Sequence, residues 1–161
     1  MPAPAIPIDL LVEPGWIIPI EPAGLVLENH ALAVDNGRIV ALLPAADARR
    51  TYSPREHVDL PGQVLMPGLV NLHTHAAMAL LRGYADDLPL MRWLNERVWP
   101  AERKFVSPDF VRDGTRLAAW EMLRGGITCF NDMYFFPGAA AEAARDAGIR
   151  AMLGVTVLEF P

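Results

Sequence analysis

The sequence predicts an α/β protein in two parts: a small antiparallel sheet unit over residues 1–66, then parallel strand–helix units over 67–161. Three observations predict it. Short β-type runs separated by Pro and Gly fill the first part, and an Asn-Gly step joins two of them. After residue 66 the rhythm becomes strand, helix, strand, helix, strand, which makes parallel strands with crossover helices. Hydrophobic residues at 52% and charged residues at 20% exclude intrinsic disorder. With 14 Lys+Arg against 19 Asp+Glu the net charge is −5, which argues against the basic stripe of a nucleic-acid binder. The single cysteine, Cys129, excludes an internal disulfide framework and any all-cysteine metal site.

In the first part, strands are expected over 8–12, 16–20, 31–34 and 38–43. Asp35-Asn36-Gly37 lies between the last two, and Asn and Gly tolerate the positive φ of a tight hairpin. In the second part, Met66-Pro67-Gly68 introduces a strand over 69–73. Ser107-Pro108-Asp109 opens a helix: Ser caps, Pro suits the first helical position, and Asp favours the positive end. That helix runs to Arg124 and stops at Gly125-Gly126. A strand over 127–131, an Ala-rich helix over 137–147 closed by Gly148, and a strand over 149–158 follow. At roughly 31 residues per unit of an eight-fold parallel barrel, residues 69–161 supply about three units. A three-stranded parallel sheet ending on a long apolar edge is a poor final structure. The expectation is the front part of something larger; a complete small three-stranded domain is the alternative.

No Lys or Arg precedes Arg38, so the charged start of a signal peptide is lacking. The uncharged stretch 61–81 carries two prolines, Gln63, Asn71 and two histidines, unlike a membrane span of about 20 apolar residues. A cytoplasmic protein with no membrane and no nucleic-acid partner is expected.

The strongest local signal is the run LVNLHTH over 69–75. Strand alternation places Leu69, Asn71, His73 and His75 on one face and Val70, Leu72 and Thr74 on the other, the apolar face suiting covering helices. The two imidazoles then lie about 6.5–7 Å apart along the strand. At the C-terminal end of a parallel strand they can converge on one cation, and histidine serves zinc and iron alike. Chance on a half-exposed strand is the other reading. A catalytic zinc site typically uses three protein ligands and a water. His30 and His57, in the first part and near turns, are expected simply to face solvent. Asp132 either approaches the metal, orients a ligand or caps the following loop.

The run LMPGLVNLHTH over 65–75 resembles the opening of the metal-dependent amidohydrolase superfamily. MALLRGYADD over 78–87, Trp93, Trp99-Pro100-Ala101-Glu102 and GGITCFNDMY over 125–134 narrow the resemblance. Together they are similar to the 5-methylthioadenosine/S-adenosylhomocysteine deaminases and the related triazine-hydrolase-like group. The resemblance implies the N-terminal part of a metallo-dependent (β/α)8 TIM barrel, about strands 1–3, preceded by part of a small β-sandwich over 1–66. It implies one divalent ion, Zn2+ or alternatively Fe2+, with His73 and His75 as its first two ligands. The remaining ligands and the general acid/base are expected beyond Pro161, so no catalytic residue is assigned within the chain. It also implies that Trp93 lines the pocket and Glu102 accepts hydrogen bonds from ribose hydroxyls, which an ionised carboxylate does well. On spacing alone, Leu90, Trp93, Leu94 and Val98 form an apolar helix face, so Trp93 also reads as core, and Glu102 as a solvated partner of Arg103 or Lys104.

The implied activity is hydrolytic deamination at C6 of adenosine-type nucleosides by metal-activated hydroxide. Candidate substrates are 5-methylthioadenosine, adenosine and S-adenosylhomocysteine. Some members carry an arginine at the end of strand three for the substrate carboxylate; here that neighbourhood reads Gly154-Val155-Thr156, favouring uncharged thioethers or adenosine. The partner is a small nucleoside or heterocyclic amine, and a homo-oligomeric full-length parent stays open. One alternative keeps the fold with another C–N or C–Cl bond, on guanine, cytosine or an s-triazine. Another is a non-catalytic fragment or subunit that needs a complementary chain, inactive alone. Arg82, Asp86 and Asp87 either cover the pocket or form surface salt bridges, and Cys129 reads as a buried, inert thiol.

Overall fold

The computed structural model describes residues 4–157, so the expected strand over 149–158 extends past the described residues at Leu158. The chain forms two compact units that divide after Pro67.

The first unit is a five-stranded sheet. Strands β1 (Ile6–Ile17), β2 (Leu27–Glu28), β3 (His30–Asp35) and β4 (Arg38–Pro44) are followed by helix α1 (Ala45–Thr51) and strand β5 (Tyr52–Leu65). The hairpin forms as its sequence dictates: Asp35 pairs with Arg38, and Asn36 and Gly37 take φ of 50° and 70°. Two expectations change. The runs at 8–12 and 16–20 are one strand, β1, which ends at Ile17 and carries a register shift between Pro14 and Trp16. Gly15 sits at that irregularity, where a Cβ would overlap the Pro61 carbonyl oxygen. The sheet is mixed, because β5 pairs in parallel with β1 while β2 and β3 pair with it antiparallel. Helix α1 buries Ala45 and Ala48 against Ile8, Leu11, Ala31 and Ala33. His57 faces solvent but also meets Glu13 Oε1 at 2.9 Å, and His30 Nδ1 donates to the Glu28 carbonyl at 2.7 Å.

The second unit holds three parallel strands in the order β6 (Leu69–Thr74), β7 (Ile127–Tyr134), β8 (Arg150–Val155). After β6 come a 3-10 turn (Ala76–Leu81), helix α2 (Leu90–Trp93), a widened π-type turn (Leu94–Val98) and helix α3 (Trp99–Phe105). Helices α4 (Pro108–Arg124) and α5 (Pro137–Ala147) cover one face of the sheet. The Ser107 hydroxyl accepts the Phe110 N–H at 3.1 Å, and Gly126 and Gly148, both at φ above 70°, terminate α4 and α5. Phe130 of β7 is fully buried against Ala118, Ala119 and Met122 of α4. The strand expected over 127–131 continues to Tyr134.

Simple alternation fails in β6. The register against β7 shifts between Asn71 and Thr74, and both pair opposite helix-side residues of β7, Phe130 and Asp132. Asn71 accordingly points to α4, where its amide nitrogen lies 4.0 Å from the Met122 sulfur. Val70 and Leu72, expected to meet helices, are exposed instead. The shift breaks the alternation that would have put Asn71 and His73 on one face.

The regular apolar helix expected over Leu90 to Val98 is also absent. Pro100 has no N–H to give, and its ring clashes with a carbonyl four residues earlier, so an unbroken α-helix cannot pass through it. The Trp99 N–H bonds instead to the Leu94 carbonyl, five residues back. Val98 is buried but Leu90 and Met91 are exposed, so this is no core face.

Candidate functional site

His73 closes the bulged end of β6, and His75 lies just past it. Their ring centres are 5.1 Å apart at an interplanar angle of 78°. His75 Nδ1 lies 2.6 Å from the Met133 carbonyl oxygen. A carbonyl only accepts, so Nδ1 carries the proton and Nε2 keeps its lone pair for a ligand. A backbone carbonyl orienting a ring in this way is a common support for metal-binding histidine. Two imidazoles on one tetrahedral cation, at N–metal distances of roughly 2.0–2.1 Å, have ring centres about 5 Å apart. The pair therefore fits two corners of such a site. Among the described residues no group of three or more His, Cys, Asp or Glu side chains is placed to hold a metal.

Asp132, the nearby acid, does not join the pair. It is 3% exposed, and its Oδ1 accepts the Ala76 N–H at 2.9 Å, fixing the backbone immediately after His75. Burial pushes this carboxyl above the usual aspartate range, opposed by the backbone N–H groups of Ala76 and Met133. Its role is to hold the turn that carries a histidine, not to cap the loop after its own strand.

A pocket of about 340 Å³ opens at the C-terminal ends of the three strands. His75, Trp93, Glu102 and Tyr134 line it, with Thr156 beyond β8 and apolar side chains such as Met78 and Val98. Trp93 is half-buried and belongs to this wall rather than to a core. Glu102 is half-buried too and is no partner of Arg103 or Lys104: Tyr134 donates its hydroxyl to Glu102 Oε1 at 2.8 Å. Burial and the bond to Glu102 push the Tyr134 phenol far above the tyrosine range, so it stays a donor. The pocket thus gathers His75, Trp93 and Glu102, and the ring contact ties His73 to it.

Tyr134 and the Met133 carbonyl were not foreseen. A signal existed, since alternation through FNDMY puts Phe130, Asp132 and Tyr134 on one buried face, but it required extending the strand beyond Asn131. Arg82 forms a surface ion pair with Glu121, through contacts of 2.9 and 2.6 Å. Cys129 is half-buried rather than buried. No helix among the described residues is long and apolar enough to cross a membrane.

The amidohydrolase family model matches residues 64–161. A 5-methylthioadenosine/S-adenosylhomocysteine deaminase of Saccharophagus degradans is 52% identical over 96% of this chain and 35% of its own length. The crystal structure of an adenosine deaminase from Xanthomonas campestris with bound zinc superposes with a TM-score of 0.95 at 54% identity, covering 98% of this chain and 36% of that one. Atrazine chlorohydrolase from Arthrobacter aurescens, complexed with zinc, gives 0.77 at 28% identity over 89% of this chain and 35% of its own. The chain thus spans about 35% of the length of its relatives, and its three parallel strands correspond to the opening of their (β/α)8 barrel. On the family match and the parallel strand–helix architecture, the chain belongs to the amidohydrolase family.

Proposed function

We propose that the whole protein is a metal-dependent deaminase acting on the C6 amino group of adenosine-type nucleosides. The observation that carries this reading is the pocket that brings His75, Trp93 and Glu102 together from three separate segments. The names of the similar proteins support the substrate class. In this reading His73 and His75 are the chain's share of the ligands to one divalent ion, zinc, with ferrous iron as the alternative. When bound, such an ion acidifies water toward neutrality, the chemistry that hydrolytic deamination needs.

The chain's other residues bind and orient. Trp93 offers a flat apolar wall to the nucleoside, and Glu102 accepts from vicinal ribose hydroxyls through charge-assisted bonds. Holding the ring in one pose lowers the entropic part of the barrier. The described lining contains a carboxylate and no Lys or Arg, so an amino-acid carboxylate finds no counter-ion there. 5-Methylthioadenosine and adenosine are therefore the favoured substrates over S-adenosylhomocysteine. The protein is read as cytoplasmic, with a small-molecule partner.

Glu102→Gln in the whole protein tests this. Losing a hydrogen bond to a charged group, about 1.5–3 kcal/mol, lowers kcat/KM on adenosine roughly 10–100-fold. Turnover of free adenine, which has no diol, changes less than about threefold. Equal losses on both compounds would retract the nucleoside reading. They would favour hydrolysis of a ring without ribose, such as guanine, cytosine or an s-triazine, the last supported by the similarity to atrazine chlorohydrolase.

A further inference from the structure

We infer that Tyr134 is a positioning residue for Glu102, so that recognition of a ribose diol depends on the Tyr134 hydroxyl. This rests on the reading of Glu102 given above. Glu102 lies on α3 between Ala101, which is buried, and Arg103, which is exposed. Among the described residues its carboxylate meets no backbone N–H and no basic side chain; its hydrogen bond comes from the Tyr134 hydroxyl, 2.8 Å from Oε1. A glutamate has three side-chain torsions, and an untethered one sweeps through many rotamers. Tyr134 is rigid by comparison. The residue is 7% exposed and its side chain packs among Ala77, Val111, Ala139 and Ala140, on the face of β7 that meets α4 and α5.

The phenol has one proton to give, and giving it to Oε1 leaves Oε2 free to accept from a ligand. The two residues of β7 before Tyr134 support the histidine side of the pocket. Asp132 takes the Ala76 N–H and the Met133 carbonyl takes the His75 Nδ1–H. One rigid strand end therefore sets both the imidazole and the carboxylate, with the His75 and Tyr134 rings 6.3 Å apart.

The test is steady-state kinetics of Tyr134→Phe in the whole protein, on adenosine and on its 2′,3′-dideoxy analogue. Phe keeps the buried ring, and a melting curve within a few degrees of the parent confirms the fold. The expected result is a KM for adenosine raised roughly tenfold with kcat changed less than about twofold, and kcat/KM on the dideoxy analogue unchanged. Tyr134→Phe added to Glu102→Gln is expected to cost nothing more than Glu102→Gln alone, because the two act as a unit. Losses on adenosine and the analogue that are equal, or absent, overturn the inference when Glu102→Gln alone still discriminates between them. If Glu102→Gln does not discriminate, the reading of Glu102 itself fails and takes the inference with it. A destabilised Tyr134→Phe variant with losses on both compounds also overturns it, by assigning the hydroxyl a structural role.

Discussion

Arg82 meets both oxygens of Glu121, and the hydrogen bond from the guanidinium holds the Glu121 carboxyl below the usual carboxylate range. A carboxyl lowered on folding contributes stability that is present above its unfolded pKa and lost as pH falls through the folded one. Both side chains are partly exposed, so the contribution is small. Glu121→Gln is therefore expected to melt slightly below the parent near pH 7, with the gap closing as the buffer is taken to about pH 3. A gap that stays constant across that range in thermal melts would show that the pair contributes through packing and not through charge.

At the scale of elements, α4 is seated by a missing side chain. Gly114 lies so close to the turn after β6 that an added Cβ would overlap the Ala77 carbonyl oxygen and stand 2.8 Å from the Ala77 Cα. The obstacle is backbone, which cannot swing aside. Gly114→Ala is expected to destabilise the protein by about 1–3 kcal/mol, despite the better helix propensity of alanine, because overpacking of this kind forces the backbone to shift. Chemical denaturation measures it directly; a stabilised variant would mean that α4 slides freely.

The elements that were legible in the sequence are those whose signals are local. Ser107-Pro108, Gly125-Gly126, Gly148 and Asn36-Gly37 each determine a cap or turn within a few residues, and the corresponding helices and hairpin form where those residues stand. What was illegible depends on distant partners. Strand β5, YSPREHVDLPGQVL, contains two prolines and three charged residues and reads as loop, yet it pairs with β1 across 46 to 48 positions. The face reversal in β6 is invisible without its β7 register. At the site, the histidine pair and Glu102 stood out as residue types at a motif spacing. Their supports, the Met133 carbonyl and the Tyr134 hydroxyl, lie 58 and 32 positions away, on a strand that has to be extended past Asn131 before its alternation reaches them.

At the scale of the molecule, the second unit is covered on one side only. Helices α4 and α5 take the face of Phe130, while on the other face Leu72 is 75% exposed and Met152 70%, with Val70 and Met133 beside them. Parallel sheets are normally buried on both faces. The 161-residue chain produced on its own is therefore expected to bind the dye ANS strongly and to self-associate at micromolar concentration, read by fluorescence and light scattering. A dye-silent monomer would show that some other part of the chain covers this face.

The widened turn at Leu94–Val98 has a geometric consequence for the pocket. In an unbroken α-helix at about 100° per residue, positions nine apart point about 180° away from each other. Trp93 and Glu102 are nine apart and would stand on opposite sides of one rod. A single π-type turn absorbs one residue, which brings the angular offset down to about 80° and lets both side chains look into the same cavity. The proline that forbids a regular helix at position 100 is thus what aims the indole and the carboxylate at a common target.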